Sequence, residues 1–374
     1  MQLVSTIVAK YHSIVLYITR KIEDRVWNER TAKALQLFPE KERKSVEIEL
    51  INQIKFMRAD KIGQRQGTRR DKAQVANYDA TVFNISVKSL QQLQVLKRIV
   101  GVQPLQGPVG LAYRLAYSAP ADTGALCMSI VSDVVEARSR QLNTSWSMEN
   151  TADLSQLHGI DVKTAVIDIL GIELAQEKIA EVVNDLLTLA NQHDSTSVTL
   201  DKNTASHALQ IIVGINRASA RIAHKTRRAR GNFAIVSPDI AFLLKQHAYQ
   251  IGFESNDIEP TSSSCLTEVG TFNKTMVVLV SNLVPVNQIL VGFKSQAQEL
   301  DTGYIYSPYV CAMPNRYIDE RFEPRVQFIT RYGKTTFDVR PNALVPSSSY
   351  YQLVTIDAEV AESDAPEIDA EIAS

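Results

Sequence analysis

Little in this chain of 374 residues is suited to covalent or metal chemistry. It has three cysteines, Cys127, Cys265 and Cys311, and none belongs to a C-x-x-C pair. That excludes the common structural zinc patterns. Thiols so few and so far apart predict a reducing compartment, not a disulfide framework. The six histidines (His12, His158, His193, His207, His224, His247) are scattered and none pairs at metal spacing with another ligand. They read as surface or capping residues, and no metal or other cofactor is expected. Neither sign of charge dominates: Lys and Arg number 40, Asp and Glu 41, for a formal net of -1. The whole-molecule field therefore points neither toward nor away from nucleic acid. A long apolar run is also missing. Leu3–Val8 and Ile14–Ile18 are separated by Lys10 and His12 and followed by Arg20 and Lys21, too short and too charged for a spanning helix. The order is wrong for a signal peptide as well, so the chain reads as soluble and cytosolic, with no membrane partner.

Catalytic motifs fail in the same way. Gly333-Lys334-Thr335 mimics the end of a phosphate-binding loop, but the glycine required five residues earlier is Phe328. The helix that should follow is replaced by Thr335–Val339, which reads as extended. Gly107-Pro-Val-Gly110 matches a G-x-x-G loop in letters only, because its centre carries no basic residue and a strand follows. Asp133 and Glu136 lie among basic neighbours, and paired carboxylates do acid–base work only in a cleft. The expectation is that this is not an enzyme.

What is present is apolar bulk, 45% of residues, enough for two or three packed modules or one elongated body with appendages. Residues 1 to about 75 read as helical and charged, with Val46, Ile48, Leu50, Ile51, Ile54 and Met57 near helical spacing. A small helical appendage is expected there, followed by a basic Gly/Gln/Arg link, Lys61–Lys72. Leu90, Leu93, Leu96 and Ile99 predict a helix over Ser89–Val100. Pro104, Gly107, Pro108 and Gly110 break it, Leu111–Tyr117 reads as a strand and Ser118–Gly124 as a turn. Val134–Met148 reads as one long strand, on which Glu136, Arg138 and Arg140 share a face. A helix follows, capped by Asp161 and ending near Asn191, with Val162, Val166, Ile169, Ile172, Ile179, Val183, Leu186 and Ala190 as its apolar stripe. At about 1.5 Å per residue it is a rod of ~45 Å.

Thr204–Ala229 is a second helix. Its basic end, His224–Arg230, suits the negative pole of the helix dipole with Gly231 as a left-handed cap, or else a nucleic-acid contact. Phe233–Ser237 then reads as a strand, Pro238–Ala248 as a helix, and Met276–Val280, Ile289–Phe293, Tyr304–Val310 and Val326–Tyr332 as strands. The class is α+β, with the last strands returning to pack near the first. The tail from Asp357 carries Asp and Glu but no Lys or Arg.

Several stretches, in order, resemble one family. They are Gly101–Tyr117; Val134–Glu149 with Asp153–Gly159; Ile215–Phe233; Val291–Lys294; Asp301–Val310; and Phe322–Gly333. Together they resemble the major capsid proteins of T-even-type tailed bacteriophages, from near Asp79 to about Phe337. The resemblance implies an HK-97-type capsid fold: N-terminal arm, extended loop, peripheral domain with a spine helix, and axial domain. The divisions it implies are an arm or leader over 1–76, first peripheral strands over 77–117 and an extended-loop tip over 118–133. A peripheral domain over 134–194 has its spine on Asp161–Asn191. An axial domain over 195–300, returning strands over 301–345 and an acidic tail over 346–374 complete the chain.

The implied function is self-assembly into hexamers and pentamers that enclose double-stranded DNA, within a virion built in the bacterial cytoplasm. Implied partners are further copies of the chain, a portal, a vertex protein, scaffolding protein, a head-maturation protease and decoration proteins. The alternatives are a pentameric vertex protein of the same family, an encapsulin-like compartment shell, and a monomeric nucleic-acid-binding protein using Lys61–Lys72 and His224–Arg230. Candidate inter-subunit residues are Leu126, Met128 and Ile130, with Glu136, Arg138 and Arg140 for charge pairs. Candidate DNA-facing residues are Arg65, Arg69, Arg70, Lys72, Arg227, Arg228 and Arg230. Glu40 and Glu49 are candidate sites for the maturation protease. Two departures from the T-even pattern stand out: the first ~75 residues are unlike the family's cleaved leader, and Ser118–Asp133 is too short for its extra loop domain. That segment also contains no lysine, so an isopeptide cross-link from it is closed.

Overall fold

The computed structural model describes residues 25–63, 83–118, 127–145, 162–192, 195–200, 204–255, 265–296, 299–318, 324–337 and 345–358. The chain divides into two compact units. One comprises Met1–Leu115, Ile130–Lys178 and Tyr304–Thr336; the other comprises Ala116–Ser129, Ile179–Gly303 and Phe337–Ser374.

The first unit is organised by helix α1 (Arg43–Gly63) and a four-stranded sheet. In strand order the sheet is β1 (Gly101–Val102), β11 (Tyr304–Ile318), β12 (Pro324–Thr336) and β4 (Arg138–Ser145). The late strands do return to the early ones: β1 pairs parallel with β11, Gly101 opposite Ile305. Register in the β11–β12 hairpin shifts between Pro308 and Val310 and again before Met313. Pro308 has no N–H to give to the ladder, which suits an irregularity there. On β12, Phe328, Thr330 and Tyr332 alternate inward, and the Tyr332 ring lies 5.4 Å from that of Tyr306. Phe328 closes a small core with Ile85, Leu170 and Leu174.

Helix α1 is not an appendage. Val46, Leu50, Ile54 and Met57 are buried, at spacings of four, four and three, and Asn52 Nδ2 donates to the Leu105 carbonyl at 2.7 Å. Its inward face also carries Glu49 and Gln53, both buried, while Ile51 is exposed. Polar residues on the packed face lower the apparent amphipathicity, which is why the sequence reads as a solvated arm.

The long helix α2 (Val162–Ala190) forms as expected; Asp161 lies outside the described residues. Its buried stripe is out of phase with the expected one in the first half. Leu170 and Leu174 point inward, whereas Ile169 is 61% exposed. Consecutive apolar residues there let several stripes be drawn, and packing against Ile85 selects one. Ile179, Val183, Leu186 and Ala190 are buried as read.

The second unit is built on a seven-stranded mixed sheet. Its members, in order along the chain, are β5 (Thr196–Leu200), β6 (Phe233–Val236), β7 (Phe253–Ser255), β8 (Thr267–Phe272), β9 (Met276–Val280), β10 (Gln288–Gly292) and β13 (Tyr351–Ala358). In space they run β5-β13-β10-β6-β9-β8-β7. All four residues of β6 and the stretch Ile289–Gly292 of β10 are buried, the continuous apolar pattern of central strands. Segment 346–374, expected as an acidic tail, therefore begins with an interior strand. Tyr351, Leu353 and Val354 of β13 are buried, with β13 hydrogen-bonded to both β10 and β5. The acidic composition further on masked that strand.

Helix α3 (Thr204–Thr226) packs on β5, β13 and β10. It stops three residues sooner than expected, and its left-handed residue is Arg227, φ 52, not Gly231. Helix α4 (Pro238–Gln246) opens as the sequence predicts: Ser237 Oγ accepts from Ile240 N at 3.5 Å, with proline next. Gly292 is needed for close approach. A Cβ there would sit 2.2 Å from Phe233 Cζ, in a ring that is 1% exposed and cannot retreat. Gly292→Ala should lower stability by about 1–3 kcal/mol, read as a lower urea midpoint at unchanged slope.

Candidate self-association surface

Strands β2 (Val109–Ser118) and β3 (Cys127–Glu136) form a separate two-stranded sheet. The expected strand Val134–Met148 is thus split. It breaks at Ala137, which is buried and whose N–H donates to the Pro108 carbonyl at 2.8 Å. Glu136 ends β3, while Arg138 and Arg140 lie on β4 opposite Tyr332 and Thr330, at the edge of the four-stranded sheet. The expected row of three charges on one strand does not exist, although all three residues are exposed. Periodicity could not show this, because a chain that moves from one sheet to another keeps its alternation.

An isolated two-stranded ribbon is marginal in water, so its base must be held from outside. Gln103 clamps β2, its Nε2 donating to the Tyr113 carbonyl at 2.6 Å and its Oε1 accepting from Tyr113 N at 2.8 Å. Thr335 Oγ1 donates to Asp133 Oδ2 at 2.9 Å. Gly333 leaves the space that Val135 fills, since a Cβ there would lie 2.2 Å from Val135 Cγ1.

Apolar side chains on this ribbon are found both in the packed interior, where Leu115 is also buried, and in solvent. Ala112, Arg114 and Val135 are buried on the packed side. Val109 (57%), Leu111 (49%), Tyr113 (43%), Ile130 (63%) and Val134 (63%) face solvent. Several large apolar side chains left open to solvent on one strand pair are the kind of surface that another protein covers. Ile130 was singled out in the sequence. Val134 and the three residues of β2 were missed, because the alternation Val109-Leu111-Tyr113 gives no sign of which side faces the core. Met128 lies on β3, its side chain outside the described set, and Leu126 lies outside the described residues altogether.

The basic candidates separate in a similar way. Arg65, Arg69, Arg70 and Lys72 lie outside the described residues. Arg227 and Arg230 are exposed, but Arg228 is held by Asp301 at 3.7 Å, with Tyr350 Oη donating to the same carboxylate at 3.0 Å. Arg228 therefore fastens the end of α3.

One buried acid was also missed as such. Glu49, on the inner face of α1, lines a cavity of about 10 Å³ with Leu90, Leu93, Lys97, Val102 and Tyr306. Burial pushes its carboxyl up to about 7, against the opposing pull of Lys97 and Lys178. Lys97 is itself paired with Glu42 at 3.3 Å. As a protease site Glu49 is closed in this fold, being helical and 5% exposed. Among the described residues, no group of three or more His, Cys, Asp or Glu could hold a metal ion, and no helix is long and apolar enough to cross a membrane.

The family model for major capsid protein Gp23 matches residues 121–356, well over half of the chain. The chain belongs to that family. The match takes in β3 of the ribbon, the long helix and the whole seven-stranded sheet but for the last residues of β13. Among relatives, the major capsid protein of Enterobacteria phage T4 is 27% identical over 223 residues, 54% of this chain and 42% of that protein. That of Vibrio phage KVP40 is 29% identical, covering 54% and 43%. The chain thus spans less than half the length of these relatives. Among solved structures, a virus-like particle from Pyrococcus furiosus aligns at TM-score 0.44 and 8% identity, covering 73% of this chain and 96% of that one. The Mycobacterium phage Bobi chain aligns at 0.46 and 11%, covering 70% and 89%.

Proposed function

We propose that this chain is a major capsid protein that self-assembles, through hexamers and pentamers of the HK-97 type, into the head shell of a tailed phage around double-stranded DNA. The apolar outer face of the β2–β3 ribbon carries the reading. It is anchored at its base, and among the described residues its five apolar side chains stay open to solvent. In a shell, a neighbouring copy covers it, with Glu136, Arg138 and Arg140 nearby to set register by charge. The work is geometric and needs no catalytic group. Scaffold, portal, protease, vertex and decoration proteins fit the same reading as partners of assembly.

Electron microscopy of the purified chain, with scaffold supplied, should show capsomers, sheets or shells. A monomer that persists across a wide concentration range sinks the reading. Ser118–Asp133 has no lysine from which an isopeptide bond could form, so the expected lock between copies is noncovalent. Boiled, reduced particles should run as single chains on a denaturing gel, and a ladder of linked multimers contradicts this.

A further inference from the structure

The outer face of α3 changes character along its length. Leu209 and Val213 are each 48% exposed near its start, and Arg217, His224, Arg227 and Arg230 are exposed toward and beyond its end. No acidic residue occurs from 204 to 230. The direction of the helix is set by its contacts. Arg221 Nη1 donates to Thr196 Oγ1 at 2.8 Å, and Lys225 Nζ to Gln352 Oε1 at 3.3 Å. The basic end of α3 therefore lies beside the start of β13. The end of β13, where Ala358 sits opposite Leu200, lies toward the apolar start of α3.

The chain continues from Ala358 into segment 359–374, which has six carboxylates, no Lys or Arg, and Val360, Ile368 and Ile372 among them. Sixteen residues extend to roughly 50 Å. A helix of 23 residues is about 35 Å long, so the segment can reach the whole of it. We propose that segment 359–374 docks along the outer face of α3 in the same molecule, covering Leu209 and Val213 and setting its carboxylates against Arg217, His224, Arg227 and Arg230. Charge complementarity, the exit point and the reach each favour this occupant. Exposed arginines otherwise add only repulsion to one another.

The test is digestion of the full chain by a glutamate-specific protease, followed by mass spectrometry. Cleavage at Glu362, Glu367 and Glu371 should be slow in the native protein at low salt. It should become roughly tenfold faster in Arg217→Glu/Arg230→Glu, a change of the size expected for two lost charge pairs. Both positions are exposed, so the fold survives. As a check that leaves α3 intact, Asp364→Asn/Asp369→Asn should speed cleavage in the same direction. Equal rates in native and variant proteins overturn the proposal. Protection that disappears on dilution assigns the segment to a second copy and overturns docking within one molecule.

Discussion

Leu111→Asp/Val134→Asp should fold normally and fail to assemble. Both side chains are about half or more exposed, at 49% and 63%, so in the isolated chain each change should stay within about 0.5 kcal/mol. Fully burying such a side chain contributes about 1.5–3 kcal/mol, of which about half is still to be gained in an assembled contact. Losing two therefore weakens every copy of the contact by ~2 kcal/mol, roughly thirtyfold in its association constant. The introduced carboxylates add a further penalty if they are forced out of water. Sedimentation should then show dispersed chains at concentrations where the parent forms capsomers, with an unchanged urea midpoint. Ala112→Asp is the control on the packed face. Ala112 is fully buried, and this variant should be unstable even when dispersed. Normal shells from the double variant would exclude the ribbon face as a subunit contact.

Glu49→Gln should stabilise the first unit, and only toward alkaline pH. The carboxyl has a folded pKa of about 7, against 4.5 for the ordinary group. The native state thus keeps a proton that the unfolded chain releases, and stability falls as pH rises between those two values. Below the lower value both states are protonated and Glu49 costs little. Above the higher value both are ionised and the full penalty applies, about 3 kcal/mol for a shift of this size. Glutamine keeps the shape without the charge. Urea melts should show Gln ahead of Glu by roughly that amount at about pH 8, and nearly equal stability at about pH 4. A gain independent of pH would show that the buried charge is not the cause. Lys97 and Lys178 both lower the shift, so Lys178→Met should widen the pH dependence further, with loss of the Lys178 contact 5.9 Å above the Tyr332 ring.

Much of the element order was open to reading, because periodicity and turn chemistry are local. The stripe Ile179-Val183-Leu186-Ala190 and the opening of α4 at Ser237-Pro238 need only neighbours in the chain to be interpreted. The same local logic failed at α1. There the inward face includes Glu49, Asn52 and Gln53, and their burial depends on partners such as the Leu105 carbonyl, fifty-three residues away. It failed again at Val134–Met148, where the break at Ala137 depends on a hydrogen bond to Pro108. The candidate surface was half legible. Ile130 stood out on an apolar strand, but Val109, Leu111 and Tyr113 look in sequence like any inward-facing alternation.

The sequence by itself determined the α+β class, the long helix, the absence of familiar catalytic motifs and, through ordered stretches from Gly101 to Gly333, the family. Those properties rest on residue identity and spacing along the chain. Only the tertiary structure decided which side of the ribbon meets water, that β13 is an interior strand, and that Arg228 is held at Asp301 while Arg227 and Arg230 are exposed. Which face is buried depends on what packs against it, and those partners are brought together only by the fold.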